Sequence, residues 1–159
     1  MPEFIRKFLE RDKKELINIL EQTNAFTDNE ISVALELVDI YLNNKNQKDY
    51  DIYSAVDENE NLLGYICIGP TPLTDGTYDL YWIAVRADIQ GKGIGKKLLK
   101  FAEEIIKTYK GRLLVIETSS QDKYSKTRDF YESNGYKVLS RIKDYYKIGD
   151  DLLVYGKYL

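Results

Sequence analysis

The hydrophobic positions of this chain switch between a helical and a strand period. Apolar residues recur at helical steps through Leu16, Ile17 and Leu20, and again through Ile31, Ala34, Leu35, Val38, Tyr41 and Leu42. That spacing lines one face of a helix. Asp12-Lys13-Lys14-Glu15 and Thr27-Asp28-Asn29-Glu30 stand ahead of the two runs as capping boxes. The texture then changes. Ile52 to Val56 and Leu62 to Ile68, joined by the polar Asp57-Glu58-Asn59-Glu60-Asn61, predict a hairpin, and Pro70 and Pro72 break its second arm. Thr77 to Val85, dense in Tyr, Leu, Trp, Ile and Val, predicts a third strand.

Glycines at 91, 93 and 95 follow, and then a helix carrying Ile94, Leu98, Phe101, Ala102, Ile105 and Tyr109 at helical spacing until Gly111 stops it. Leu113 to Thr118 is short and mostly apolar, as a doubly buried strand should be. A short helix up to Asn134-Gly135 and two closing strands, near Tyr136–Ile142 and Leu152–Tyr158, complete the pattern. The order strand, glycine turn, helix, strand between Thr77 and Thr118 makes those two strands parallel neighbours with a right-handed crossover. The rest of the sheet is expected to be antiparallel. The fold class is therefore mixed α/β, as a single domain over residues 1–159.

Composition narrows the chemistry. The 159 residues contain no His and one Cys, Cys67. No Ser-His-Asp or Cys-His nucleophile, imidazole base or His-ligated zinc is possible. Nor can one thiol form an intramolecular disulfide, a Cys-X-X-Cys redox motif or a cysteine metal cage, so no metal is expected. Cys67, inside Tyr65-Ile66-Cys67-Ile68, reads as a small core residue. A net charge of −3 disfavours nucleic acid as a main partner. Charges in the opening Met1-Pro2-Glu3-Phe4-Ile5-Arg6-Lys7 occupy the place of a secretory signal's apolar core, and no apolar run is long enough to span a membrane. A cytoplasmic protein is expected, with the lone Cys suited to a reducing compartment.

The segment Gln90-Gly91-Lys92-Gly93-Ile94-Gly95-Lys96-Lys97 joins a strand to a helix. Amides of a first helical turn point outward there, the helix dipole favours an anion, and glycine permits close approach. Phosphate or pyrophosphate is the ligand that suits it. A Walker loop needs more residues between its glycines and a hydroxyl where Lys97 stands. A dinucleotide fingerprint needs glycine where Lys96 stands.

What fits is Gln/Arg-x-x-Gly-x-Gly/Ala, at Gln90, Gly93 and Gly95. With Trp82-Ile83-Ala84-Val85 before it and Phe130-Tyr131-Glu132-Ser133-Asn134-Gly135-Tyr136 after it, the chain resembles the GNAT N-acetyltransferase superfamily. The matched segments run from about Thr77 to Ile142.

The resemblance implies a GNAT fold, with the two parallel strands splayed apart in a mostly antiparallel sheet and helices on both faces. It implies acetyl-CoA as co-substrate and an amine acceptor. Pantetheine would pair with the backbone of Ile83, Ala84 and Val85 like an added strand. The pyrophosphate would rest on the amides of Gly91, Lys92, Gly93, Ile94, Gly95 and Lys96, beside Gln90. Tyr131 matches the tyrosine whose hydroxyl meets the coenzyme sulfur. Tyr124 and Thr127 stand where the family often has Asn and Ala; Tyr124 offers a hydroxyl in place of the Asn contact.

Acetyl transfer to an amine poses two proton problems. An alkyl amine with a pKa of about 10.4 must lose a proton before attack, and the departing thiolate, with a pKa of about 8.5, is best released with a donor at hand. Tyr131 is the candidate donor, the alternative being a core aromatic. Strand alternation puts Tyr78, Leu80, Trp82 and Ala84 on one face and Asp79, Tyr81, Ile83 and Val85 on the other. Asp79 is then a carboxylate in an apolar strand, where burial would raise its pKa. In the histone-acetylating branch of the family a catalytic Glu stands at the corresponding place. Asp79 is the candidate base, Glu117 at the end of the next strand the second, and a water chain the third.

Phe26, Asp28, Tyr145, Tyr146, Asp150 and Asp151 are candidate lining of the acceptor entrance, and acidic and aromatic groups suit a cationic amine. A Tyr-rich closing strand could also serve a homodimer; a monomer is equally compatible. Two other readings compete with the enzyme. One is a catalytically silent acyl-CoA-binding regulatory module, and the other an unrelated nucleotide-binding domain.

Overall fold

A computed structural model describes residues 3–159. Met1 and Pro2, where the reading of the N-terminus begins, lie outside the described residues. The described residues form β1 (Glu3–Lys7), α1 (Asp12–Gln22), α2 (Asp28–Asn43), β2 (Asp51–Asp57), β3 (Leu62–Pro70), β4 (Thr77–Val85), α3 (Ile94–Thr108), β5 (Leu113–Ser119), α4 (Ser125–Ser133), β6 (Lys137–Lys147) and β7 (Asp150–Tyr158). The seven strands make one sheet in the order β1-β2-β3-β4-β5-β7-β6. β4 and β5 run parallel, as the strand–turn–helix–strand order requires, within a mostly antiparallel sheet. Two compact units emerge: residues up to Gly69 with Tyr81–Ile105, and Pro70–Leu80 with Ile106–Leu159.

In the first unit α1 and α2 bury Leu16, Ile19, Leu20, Ala34 and Val38 against Ile52, Val56, Tyr65 and Cys67 of β2 and β3. The other face takes α3, where the Phe101 ring meets Tyr53 at 5.0 Å. Cys67 is fully buried, and desolvation pushes its thiol well above the ordinary range, so it is the packing residue the sequence predicts. β1 is an element the hydrophobic pattern does not announce. Its five residues pair antiparallel with β2 from Glu3↔Asp57 to Lys7↔Tyr53. So short a segment, with Phe4 exposed, is a strand because β2 offers it a ladder.

The two capping boxes part company. Thr27 Oγ1 accepts from the Glu30 amide (3.2 Å), and Glu30 returns the bond to the Thr27 amide (3.1 Å), as expected. Asp12 does not cap α1. It is the helix's first residue, it is buried, and its carboxylate accepts from Arg6 Nη1 (2.7 Å), Arg6 Nη2 (3.0 Å), the Leu9 amide (2.9 Å) and Ser54 Oγ (2.9 Å). Its partner in the box, Glu15, instead accepts from the Leu62 amide (3.0 Å). Local spacing suggests a cap; tertiary donors claim both carboxylates.

In the second unit β5 is paired with β7 along its whole length, Leu113↔Tyr158 to Ser119↔Leu152. Its ladder to β4 is much shorter and ends at Asp79↔Val115. β6 is longer than predicted, reaching Lys147, and is exposed throughout.

Candidate active site

The first unit carries the anion-binding turn. After β4 ends at Val85, the Arg86 amide donates to Leu63 O (2.8 Å), and a tight turn closes with the Ile89 amide on Arg86 O (3.1 Å). Gln90 Nε2 then donates to Val85 O (3.1 Å), so this side chain ties the loop back to the strand end. Gly91 and Gly93 have φ of 81° and 89°, and an added Cβ at either would meet nothing within 4 Å. These glycines are required by backbone conformation, not by crowding.

The first bond at the start of α3 runs from the Lys97 amide to Gly93 O (3.0 Å). The amides of Ile94, Gly95 and Lys96 therefore have no intrahelical partner. No acidic residue lies in this first turn, and the helix dipole places positive potential there. Lys92 and Lys96 are exposed beside it, while Lys97 pairs with Glu3 on β1. Buried Ile94, Leu98, Leu99 and Ala102 fix the helix beneath. Exposed glycines, outward amides and two exposed lysines fit a pyrophosphate group.

Ile83 and Val85 are half-buried and Ala84 is buried. Tyr81 and Trp82 both pack against the first unit's core, through different neighbours. Tyr81 meets Tyr50 edge-on at 5.3 Å, and Trp82 meets Phe26 at 5.5 Å.

The second unit carries the candidate proton-transfer groups. Asp79 pairs with Val115 in a parallel ladder, so its side chain shares the Val115 face, and Glu117, two residues on, lies on that face too. Tyr131 lies on the other face. Its ring packs on Tyr155 (6.1 Å), and Tyr155 is the ladder partner of Ile116. The candidate acid and the two candidate bases thus flank β5 from opposite sides.

Asp79 is half-buried rather than sealed in apolar surroundings, and its Oδ2 accepts from Thr71 Oγ1 at 2.7 Å. Glu117 is exposed. Tyr131 is buried among Phe130, Tyr136 and Tyr155, and desolvation pushes its phenol well above its ordinary value. The motif around it has a mechanical reason. Gly135 takes φ 91° to end α4, and the Tyr136 amide returns to Tyr131 O (3.1 Å), wrapping the Tyr136 ring against Tyr131. Tyr155 is held there by its own bond to Glu132 Oε1 (2.8 Å); burial and that carboxylate push it to about 12.

Tyr124 and Thr127, both half-buried, sit just before and inside α4, with Lys123 Nζ 4.9 Å from the Tyr124 ring centre. The predicted entrance residues divide. Tyr146 is exposed on β6 and meets Tyr145 edge-on at 5.0 Å, and partial desolvation with the nearby charges of Glu117 and Asp150 raises its phenol. Asp150 is buried and accepts from Ser119 Oγ. Asp151 is engaged in the fold. The Asp144 amide (2.9 Å) and Arg141 Nε (2.6 Å) hold its carboxyl below the usual range. Asp28 is the first residue of α2, near the helix's positive end.

Thr71 is the site residue that the sequence does not flag. It reads only as a loop residue between two prolines, and its hydroxyl reaches Asp79 because the chain doubles back.

Gly93→Ala is expected to weaken CoA binding about tenfold, since a left-handed Ala costs about 1–2 kcal/mol and tilts the neighbouring amides. Titration calorimetry reads this directly; wild-type affinity in the variant would rule out the turn as the pyrophosphate site.

Comparison with known proteins follows the same lines. Residues 48–138 match the acetyltransferase (GNAT) domain. The chain is 30% identical over 134 residues to the 5-NmdU N-acetyltransferase of Pseudomonas phage PaMx11, covering 84% of this chain and 86% of that protein. It is 28% identical over 136 residues to the S-(2-succino)cysteine N-acetyltransferase of Bacillus subtilis (strain 168), covering 82% of each. Among solved structures, a GNAT-family protein from Desulfovibrio desulfuricans superposes with a TM-score of 0.92 at 39% identity, covering 99% of both chains.

Proposed function

The chain belongs to the GNAT acetyltransferase family and acetylates amines, and we propose that it moves the acetyl group of acetyl-CoA in one direct step to a primary amine. The observation that carries this reading is the turn after β4, whose open positive-φ glycines and outward first-turn amides of α3 fit the coenzyme's pyrophosphate, within a matched GNAT domain. Residues 1–159 act as one catalytic domain.

Acetyl-CoA supplies the activated acyl group. The backbone of Ile83, Ala84 and Val85 holds the pantetheine arm by strand-like bonds, and Gln90 with the Gly91–Lys96 amides holds the pyrophosphate. Tyr124 and Thr127 add contacts from the α4 side. Asp79 Oδ1 takes the proton that an ammonium acceptor, with a pKa of about 10.4, must lose before it attacks. Glu117 is the second carboxylate able to relay that proton to water.

Tyr131 serves the leaving sulfur. Burial lifts its phenol above the ordinary value of about 10, so the proton stays on oxygen in preference to a thiolate with a pKa of about 8.5. The hydroxyl acts as a donor to the developing charge rather than surrendering its proton outright, and the second proton that the nitrogen loses as the C–S bond breaks passes through water to the departing thiolate. A covalent acetyl-enzyme has no support, because the lone thiol is buried and held protonated in β3.

Two related enzymes are named as N-acetyltransferases of S-(2-succino)cysteine and of 5-NmdU. The grouping of Tyr146 with Glu117 and Asp150 supports a cationic acceptor amine. The lone reduced Cys supports a cytoplasmic location. Among the described residues no helix is long and apolar enough to cross a membrane.

The test is thiol release from acetyl-CoA against polyamines, amino acids including S-(2-succino)cysteine, aminoglycosides, 5-NmdU and peptide N-termini. A thermal shift with CoA runs beside it. Turnover of one class together with stabilisation by CoA, but not by ATP or NAD, is expected. Stabilisation without thiol release on any amine would make the chain a binding module instead.

A further inference from the structure

The connection between β3 and β4 is built more firmly than a linker requires. The Thr71 amide donates to Thr77 O (2.9 Å), and Thr74 Oγ1 donates to Thr71 O (2.8 Å). Arg112 Nε grips Asp75 O (2.8 Å), and the Arg112 amide donates to Gly76 O (2.7 Å). Leu73 is held at φ 66° in this loop while fully exposed, a conformation that neither packing nor burial of its own side chain accounts for. The result of all these bonds is to place one hydroxyl. Thr71 Oγ1 lies 2.7 Å from Asp79 Oδ2, at the last rung of the parallel ladder.

We propose that Thr71 is the positioning residue for Asp79, fixing one carboxylate oxygen so that the other faces the incoming amine as proton acceptor. This rests on the acetyl-transfer reading above and adds to it the residue that orients the base. A threonine hydroxyl has a single proton to donate. Directed at Oδ2, it fixes the carboxylate's rotation and leaves Oδ1 to receive the proton of the ammonium group. That proton passes on to water once the amine has attacked, so Asp79 returns to its starting state. Donation to a carboxylate favours its ionised form, which is the form a base must have.

Other titratable groups bear on Asp79. Glu117 of β5 shares its face, and the ladder registers place Tyr158 of β7 and Lys137 of β6 on that face. Asp75 belongs to the loop, and Arg112 is turned onto its carbonyl. Glu117→Gln therefore serves as the background in which the Asp79 carboxyl is observed.

The experiment uses full-length protein labelled with carboxyl-13C aspartate, with the Asp79 resonance identified by its loss in Asp79→Asn. Thr71→Val keeps the side chain's shape and the amide bond to Thr77 but removes the hydroxyl. It is expected to shift the Asp79 carboxyl resonance and to lower kcat with the fastest amine of the panel about tenfold, the worth of one hydrogen bond to a charged group, and Thr71→Ser is expected to restore both. KM for acetyl-CoA should stay near the wild-type value, since Thr71 acts only through Asp79. An unmoved resonance in Thr71→Val, or a moved resonance with an unchanged kcat, overturns the positioning role alone. A wild-type protein that releases no thiol with any amine overturns the acetyl-transfer reading and this role together.

Discussion

Asp79→Asn is expected to lower kcat/KM by a factor of about 10²–10⁴, the usual worth of a positioned general base, while leaving CoA affinity near that of the wild type. Asp79→Glu, which keeps a carboxylate on the strand, should recover part of the rate that Asp79→Asn loses. Tyr131→Phe should act differently. It removes a donor whose partner becomes charged only as the C–S bond breaks, so the loss belongs in kcat rather than KM. One hydrogen bond to a charged acceptor, about 1.5–3 kcal/mol, corresponds to about 10- to 100-fold.

Stopped-flow thiol detection across pH separates the two effects. Should both variants keep the wild-type rate and profile, catalysis would rest on positioning, with backbone amides polarising the thioester carbonyl.

Asp12→Asn is expected to be the most damaging single change to stability outside the packed core. The carboxylate is almost fully buried and takes four hydrogen bonds, two of them from Arg6. Burial by itself would raise its pKa. The Arg6 hydrogen bonds and charge, with the Leu9 amide and the Ser54 hydroxyl, outweigh that and hold it below the carboxylate range.

An amide can replace only part of this, and Arg6 then keeps Glu60 as its remaining ion pair. Breaking a buried pair from one side costs about 3 kcal/mol, which lowers Tm by about 10 °C in a domain of this size. The same group sets an acid limit. A carboxylate whose folded pKa is depressed contributes its stability above the unfolded value of about 3.9 and loses it as pH falls through the folded value. Wild-type stability should therefore drop below about pH 4 more steeply than that of Asp12→Asn. Parallel chemical denaturation curves at pH 7 and pH 3.5 check this. Equal slopes for the two proteins would remove Asp12 from its place as the hub of β1, β2 and α1.

The two capping boxes also mark where sequence reading succeeds and where it stops. Thr27 and Glu30 cap α2 as their spacing predicts, because both partners of a capping box lie within four residues. Asp12 and Glu15 have the same spacing and cap nothing, because Arg6, Ser54 and Leu62 reach them from other strands. β1 is invisible to periodicity, since five residues with one exposed Phe are a strand only beside β2. The glycine turn is fully legible, because it depends on local φ and on the first helical amides. Asp151 is not. Its carboxylate looks free for substrate in the chain and proves to be tied to Arg141 and Asp144.

By itself, the sequence determined the switching periods that make the elements, the parallel pair that the glycine turn and α3 enforce, and the motif that identifies the family. These follow from contacts within a few residues or from chain order, which a sequence carries directly. Tertiary structure alone decided that Tyr131 lies across β5 from Asp79 and Glu117, and that Thr71 reaches Asp79. Such facts depend on register between strands distant in the chain and on a loop that doubles back. Neither leaves a periodic trace, because the hydrogen bonds that fix them join residues whose separation no local pattern records.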